Sequence, residues 1–335
     1  MRTKRKLRKS RYSKKIKKKN LKNKKSIIKK KYRKTKKKTK KYSIRGGSGS
    51  CDNELLDWRK NKEGYTFSTL LHTGFGDNKL YLWSTSMPEL NNPNKEILRQ
   101  IFDFYINCLN IKTIISLEYC YKPSTTKLPN INCEGDSELE VIKRISDDVV
   151  FKEIDIPDMD VGGLKQWKEI LTNETGGWIE FDKPEEATLI HCLAGMGRTG
   201  SILLFIALRE YLKLHSDEIV EMLTKPYFKF ETMEEYIEWL KGLMISFLEI
   251  DESAENENVK QKIKRFKINY LTDELFNTDK QPTKLLLAKR LNIIKIFLKL
   301  YFVQNYILLY NINAIDSFLD GIETDNIKNH VLDKL

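Results

Sequence analysis

The sequence predicts an α/β fold: a mostly parallel, twisted sheet flanked by helices, preceded by a disordered basic N-terminal tail and followed by an α-helical C-terminal extension. Three observations carry that reading. Between residues 79 and 248, short β-branched apolar runs alternate with stretches of helical spacing. Residues 202–208 (ILLFIAL) make their helix apolar on nearly every face, so it belongs inside a domain. Charge, finally, is split along the chain. Of 60 Lys and Arg in 335 residues, 26 fall in residues 1–45, which hold no Asp or Glu. The remainder carries 34 basic against 46 acidic side chains, so a net charge of +14 conceals a body of −12. A tail of that composition buries too little apolar surface to offset its ordering entropy.

The elements follow in order. Residues 1–50 are the tail and a flexible joint, GGSGS at 46–50. Residues 51–250 form the folded domain, opening on an ambiguous lead-in over 51–76. The run 79–86 (KLYLWSTS) reads as a strand, 94–109 as a helix, and 112–117 (KTIISL) as a buried strand. A loop with Pro123 and Pro129 covers 119–136. A short helix follows at 137–145, a strand at 149–156, and a helix at 162–172 that Gly176 and Gly177 terminate. The run 187–191 (ATLIH) is another buried strand, and helices at 198–214, 217–223 and 232–248 complete the domain. The acidic stretch 251–258 (DESAENEN) reads as a linker. Beyond it, 251–335 is a helical extension whose strongest pattern, at 283–310, is expected to pack on the body.

Composition excludes several classes. Five cysteines, at 51, 108, 120, 133 and 192, are an odd number without paired short spacing, which argues against a disulfide scaffold and a zinc site. The first 20 residues lack the apolar stretch of a secretory signal, and their Lys-rich character does not suit a mitochondrial leader. The most apolar long stretch, 291–310, contains Lys295, Lys299, Gln304 and Asn305, so it is not expected to span a membrane. An intracellular, reducing location, cytoplasmic or nuclear, is the expectation.

Residues 191–200 read HCLAGMGRTG and lie between a buried strand and a buried helix. The strand delivers Cys192 to its C-terminal end. The unpaired N–H groups of the loop and the first helical turn make an anion nest, formed by Leu193, Ala194, Gly195, Met196, Gly197 and Arg198. Gly195, Gly197 and Gly200 are expected to supply backbone freedom. The guanidinium of Arg198 closes the ring with a fork suited to two phosphate oxygens. The same positive field favours the Cys192 thiolate. A thiolate facing a phosphorus held by amides and guanidinium is a nucleophilic phosphatase site. Thr199 is expected to donate its hydroxyl to the sulfur, and His191 to hydrogen-bond the loop backbone.

The His-Cys-x5-Arg-Thr-Gly run resembles the signature loop of the cysteine-based protein tyrosine phosphatase superfamily. Residues 76–248 resemble its compact dual-specificity branch, including the kinase-associated phosphatases, through KLYLWSTSMP, KTIISL and IDIPD. That resemblance implies a protein tyrosine phosphatase-like fold and a cysteinyl-phosphate mechanism. It implies no cofactor, no metal, and a general acid 30 to 40 residues before the cysteine. Asp158, in the Ile-Pro-Asp run at 156–158, is the favoured acid; Asp160 and Asp155 are the alternatives, and the losers are solvated or capping carboxylates. Two departures from the family pattern matter. Met233 occupies the slot where the family often carries a water-positioning Gln. Leu193 and Met196 stand where superfamily members acting on 3-phosphoinositides place basic residues, which disfavours such a substrate. RNA 5′-triphosphatases of the superfamily usually carry Asn where this chain has Gly197. The implied function is therefore a phosphoprotein phosphatase of tyrosine or dual-specificity type, acting on a phosphorylated protein. The alternatives are an RNA 5′-polyphosphatase, or a non-enzymatic nucleic-acid-binding scaffold with a vestigial site.

Other features carry less. The basic tail suits nucleic-acid binding or nuclear targeting, or an acidic membrane surface. It could also fold back on the acidic body and compete with substrate. Cys120, past the strand at 112–117, is placed to pair with Cys192 on oxidation, or else is a buried small hydrophobe. Cys51, Cys108 and Cys133 show no special signal, and His72, His215 and His330 read as structural or surface residues.

Overall fold

The computed structural model describes residues 71–76, 78–86, 99, 101–118, 138–248, 259–279 and 281–306, all within the unit 46–335. The basic tail, the GGSGS joint, the 119–136 loop, the 251–258 linker, Cys51, Cys120, Cys133 and His330 lie outside the described residues.

Five strands form one sheet: β1 (Leu71–Phe75), β2 (Asn78–Ser86), β3 (Thr113–Ser116), β4 (Val150–Glu153) and β5 (Thr188–Cys192), in the order β1-β2-β5-β3-β4. The pairs β2–β5, β5–β3 and β3–β4 are parallel, and β1 runs antiparallel to β2. The expected mostly parallel sheet is present, with one strand more than the periodicity indicates. Within β1 the register shifts between His72 and Gly74. Gly74 has φ 148°, and an added Cβ would lie 2.6 Å from the Asn78 carbonyl oxygen. A glycine inside a strand interrupts the apolar pattern by which strands are read, which conceals β1 in the lead-in.

All five residues of β5, the middle strand, are buried. Successive side chains feed opposite faces. Ile190 joins a core containing Leu82 and Ile115, whereas Leu189 joins one containing Trp83 and Ile114. A sheet covered on both faces has continuous apolar strands rather than alternating ones. One face is closed by α1 (Glu138–Ile145), through Val141 and Ile142, and by the π-helical segment Phe104–Cys108. The other carries α2 (Leu164–Leu171), α3 (Gly197–Leu214), α4 (Ile219–Thr224), α5 (Met233–Phe247), α6 (Val259–Phe276) and α7 (Gln281–Tyr306). The helix expected at 217–223 is instead a 3-10 turn, Ser216–Glu218, leading into α4.

α3 is the axis of this second layer, buried continuously from Arg198 to Arg209. Each buried Leu, Ile or Phe there is worth about 2 kcal/mol relative to exposure. Part of that burial comes from the C-terminal extension: Leu271, Leu275, Phe297, Leu298 and Phe302 share one core with Leu203 and Phe205. Polar contacts fasten the same seam. Trp178 Nε1 donates to Gln304 Oε1 at 2.7 Å, and Tyr301 OH donates to Glu180 Oε1 at 2.8 Å. Glu180 in turn lies 3.4 Å from the fully buried Arg209.

Cys108 is disulfide-bonded, and Cys192 is the free cysteine among the described residues. The reading of Cys108 as featureless is thereby corrected: sequence spacing carries no cue for a bridge whose partners need only meet in space. Among the described residues no helix is long and apolar enough to cross a membrane.

Candidate active site

β5 ends at Cys192, whose side chain is buried, and α3 begins at Gly197. The helix takes its first acceptor from Met196, which receives the Gly200 N–H at 2.6 Å. Between them the loop lies directly against the end of β2. Gly195 has φ 69°, and an added Cβ would sit 2.5 Å from the Thr85 carbonyl oxygen and 2.7 Å from the Ser86 nitrogen. Glycine is required there twice, by conformation and by contact. The other two glycines serve differently from what was expected. A Cβ on Gly197 would meet nothing within 4 Å, and one on Gly200 would press on the Leu275 side chain at 3.0 Å. Gly200 thus makes room for α6 rather than freeing the loop.

Arg198 is 6% exposed and docks among the C-terminal ends of the neighbouring strands. Its Nη1 donates to the Ile156 carbonyl at 3.0 Å and the Leu117 carbonyl at 3.4 Å. Its Nη2 stands 3.6 Å from Glu118 Oε2 and 3.7 Å from Asp158 Oδ1, ion-pair distances longer than hydrogen bonds. One guanidinium therefore gathers the end of β3, the segment after β4, and the loop after β5. Burial holds the Glu118 carboxyl above its ordinary 4.5, against the opposing pull of Arg198 and His191, with Asp158 and Glu138 adding to the rise.

The candidate acids are separated by geometry. Ile154 and Ile156 are buried, and Asp155 between them is exposed. Asp160 Oδ1 accepts the Val161 N–H at 2.7 Å, a local turn contact. Asp158, 74% exposed, is the one of the three that pairs with Arg198. The turn carrying it is closed by Asp160 N–H to the Pro157 carbonyl at 3.1 Å, with Met159 at φ 59°. A non-glycine residue in that region stores backbone strain, a feature that clusters at functional sites. The turn is anchored from α2 by Gln166, which accepts the Gly163 N–H at 2.8 Å and donates to the Asp155 carbonyl at 3.3 Å.

His191 and Thr199 are fully buried and differ from expectation. His191 Nε2 lies 2.9 Å from Glu138 Oε1, at the start of α1, and neither ring nitrogen makes a hydrogen bond to the loop backbone. The close Nε2–Oε1 approach lacks hydrogen-bond geometry, so it is a contact rather than an aligned bond. Thr199 Oγ1 makes no hydrogen bond, to sulfur or otherwise. Ser86, opposite Cys192 in the β2–β5 register, also has a buried hydroxyl without a hydrogen-bond partner. Buried hydroxyls are ordinarily hydrogen-bonded, and these two have no such partner in the protein. Leu193 is exposed and Met196 buried, and both side chains are uncharged.

Three further residues at the site, Glu118, Glu138 and Ser86, belong to no motif of the sequence. Ser86 lay within a recognised strand, and only the strand register would have pointed to it. Glu118 and Glu138 carry no local signal.

Among solved structures similar to this chain is Tk-PTP in its active form, at 15% sequence identity and TM-score 0.25, covering 57% of this chain and 91% of that one. Another is the core catalytic domain of the PP-IP phosphatase SIW14 from S. cerevisiae, in complex with citrate, at 13% identity and TM-score 0.26, covering 66% of this chain and 93% of that one. No protein-family model matches the chain, and no curated protein matches it.

Proposed function

We propose that this protein is a phosphatase that hydrolyses phosphate monoesters through a cysteinyl-phosphate intermediate, on phosphoproteins of the tyrosine or dual-specificity class. One observation carries the reading. A free cysteine ends the central strand, in a loop pressed onto β2 through Gly195, and Arg198 in the following turn faces Asp158.

In this mechanism the amides of 193–198 and the Arg198 guanidinium hold the three non-bridging phosphoryl oxygens. The Cys192 thiolate attacks phosphorus opposite the leaving oxygen. The P–O bond breaks, and its electron pair takes a proton from the Asp158 carboxyl. Water then attacks the cysteinyl-phosphate. Asp158 accepts a proton from that water, the P–S bond breaks, and the sulfur leaves as thiolate. The orphan hydroxyl of Thr199 is available to donate to that departing sulfur. The long contacts from Arg198 Nη2 to Glu118 and Asp158 suit a guanidinium that exchanges weak carboxylate partners for a bidentate phosphate. A protein substrate is favoured by the uncharged Leu193 and Met196 inside the loop and by Gly197 before the arginine.

Hydrolysis of p-nitrophenyl phosphate tests the chemistry. The wild type should turn over, Cys192→Ser should not, and Asp158→Asn should lose about 100-fold or more in kcat while Asp160→Asn stays near wild type. A Cys192→Ser protein with undiminished turnover would exclude the mechanism. A panel of phosphotyrosine peptide, phosphothreonine peptide and triphosphorylated RNA then assigns the substrate class. Preference for the RNA would move the assignment to a 5′-polyphosphatase.

A further inference from the structure

The C-terminal extension sends one polar side chain into the base of the phosphate loop. Arg290, on α7, is 2% exposed. Its Nε donates to Ser201 Oγ at 2.7 Å, and its Nη1 donates to the Leu275 carbonyl on α6. Ser201 is buried on the first turns of α3, and its hydroxyl donates to the Gly197 carbonyl at 2.7 Å. That carbonyl belongs to the peptide unit whose N–H is the Arg198 amide, one of the first-turn donors that the helix leaves unpaired. A continuous chain therefore runs from a buried cation, through a hydroxyl that both accepts and donates, to the peptide bond at the mouth of the nest.

The placement is costly for an isolated protein. The N-terminal end of α3 is already positive, and a buried guanidinium beside it adds like charge. Burial pulls Arg290 down to about 10, with Glu274 the opposing charge, so it remains protonated at neutral pH. An arrangement of this kind loses stability when the nest is empty and regains it when an anion enters, which is how preorganised charge serves catalysis. Hydrogen bonds in series also polarise one another, so a charged donor at one end strengthens the N–H at the other.

We infer that Arg290 is a positioning residue for the phosphate loop: acting through Ser201, it polarises the Gly197–Arg198 peptide and raises the affinity of the nest for the Cys192 thiolate and for phosphate. The inference rests on the phosphatase reading of the loop, and it makes the extension a working part of the site.

The experiment uses the full chain and the variants Arg290→Met, Arg290→Lys, Ser201→Ala and Arg290→Met/Ser201→Ala. The readouts are the pH midpoint of Cys192 alkylation by iodoacetamide, followed on the Cys192 peptide by mass spectrometry, and inhibition of p-nitrophenyl phosphate turnover by inorganic phosphate. Arg290→Met and Ser201→Ala should each move the alkylation midpoint to higher pH and weaken phosphate inhibition about 10-fold. The double variant should be no worse than either single one, because both cut the same chain. Arg290→Lys, which keeps the charge, should fall between wild type and Arg290→Met. An alkylation midpoint unchanged in a folded Arg290→Met protein, or in Ser201→Ala, overturns the proposal. So do losses that add in the double variant and follow melting temperature alone. Alkylation needs no turnover, so a wild type inert towards every phosphoester would sink the phosphatase reading and leave the Arg290 test standing.

Discussion

At the scale of single residues, the site is organised by where charge is buried. Arg198 is held by two backbone carbonyls and only loosely by two carboxylates, so its direction is set by the main chain and its charge remains available. Glu118 is the exposed-to-buried exception: it is 13% exposed, and desolvation outweighs Arg198, so its carboxyl sits above its ordinary 4.5. A carboxyl raised on folding contributes stability that is complete below the unfolded value and is lost as pH rises through the folded one. Glu118→Gln removes that loss. Its melting temperature should match wild type near pH 4 and exceed it increasingly towards pH 7. Thermal scans across that range check the sign, and a variant less stable than wild type at pH 7 contradicts it.

At the scale of elements, the strand–loop–helix unit works because one glycine lets the loop touch a neighbouring strand. The three glycines of 195–200 look alike in sequence and differ in consequence. Gly195→Ala should cost about 2 kcal/mol or more, combining left-handed backbone with a backbone overlap at 2.5 Å, and should abolish activity by displacing the nest. Gly197→Ala, with nothing within 4 Å of the new methyl, should shift stability by about 0.5 kcal/mol or less. Urea denaturation of the two variants measures the contrast, and equal losses would overturn it. Only part of the site is legible in the sequence. The end of the strand, the loop and the first turn of the helix lie within ten consecutive residues, 191–200. The partners of that loop do not: Glu118 stands 80 residues before Arg198, and Arg290 stands 89 after Ser201. β1 escaped for a related reason, since its glycine bulge erases the local pattern.

At the scale of the whole molecule, the helices after residue 258 complete the fold rather than decorate it. Leu287, Ile294, Phe297, Leu298, Tyr301 and Phe302 of α7 are nearly fully buried in the core that also holds α3. At about 2 kcal/mol each, they amount to about 12 kcal/mol, comparable with the net stability of an ordinary domain. A chain ending at residue 280 should therefore lose its near-ultraviolet circular dichroism, and the full chain should unfold in one transition with the sheet. A truncated protein that keeps native tertiary signal would show the extension to be a separate layer.

By itself the sequence determined the local arrangement: a cysteine, a glycine-rich loop and an arginine brought together by ten residues, because strand and helix periodicities act over short distances. It also determined the interior position of α3 and the separation of basic tail from acidic body. Only the tertiary structure decided which aspartate faces Arg198, that Glu118 and Glu138 stand beside the loop, and that Gly200 and Ser201 are shaped for the extension. Those contacts join elements far apart in the chain. Strand order and helix packing bring such elements together, and neither leaves a mark in the spacing of neighbouring residues.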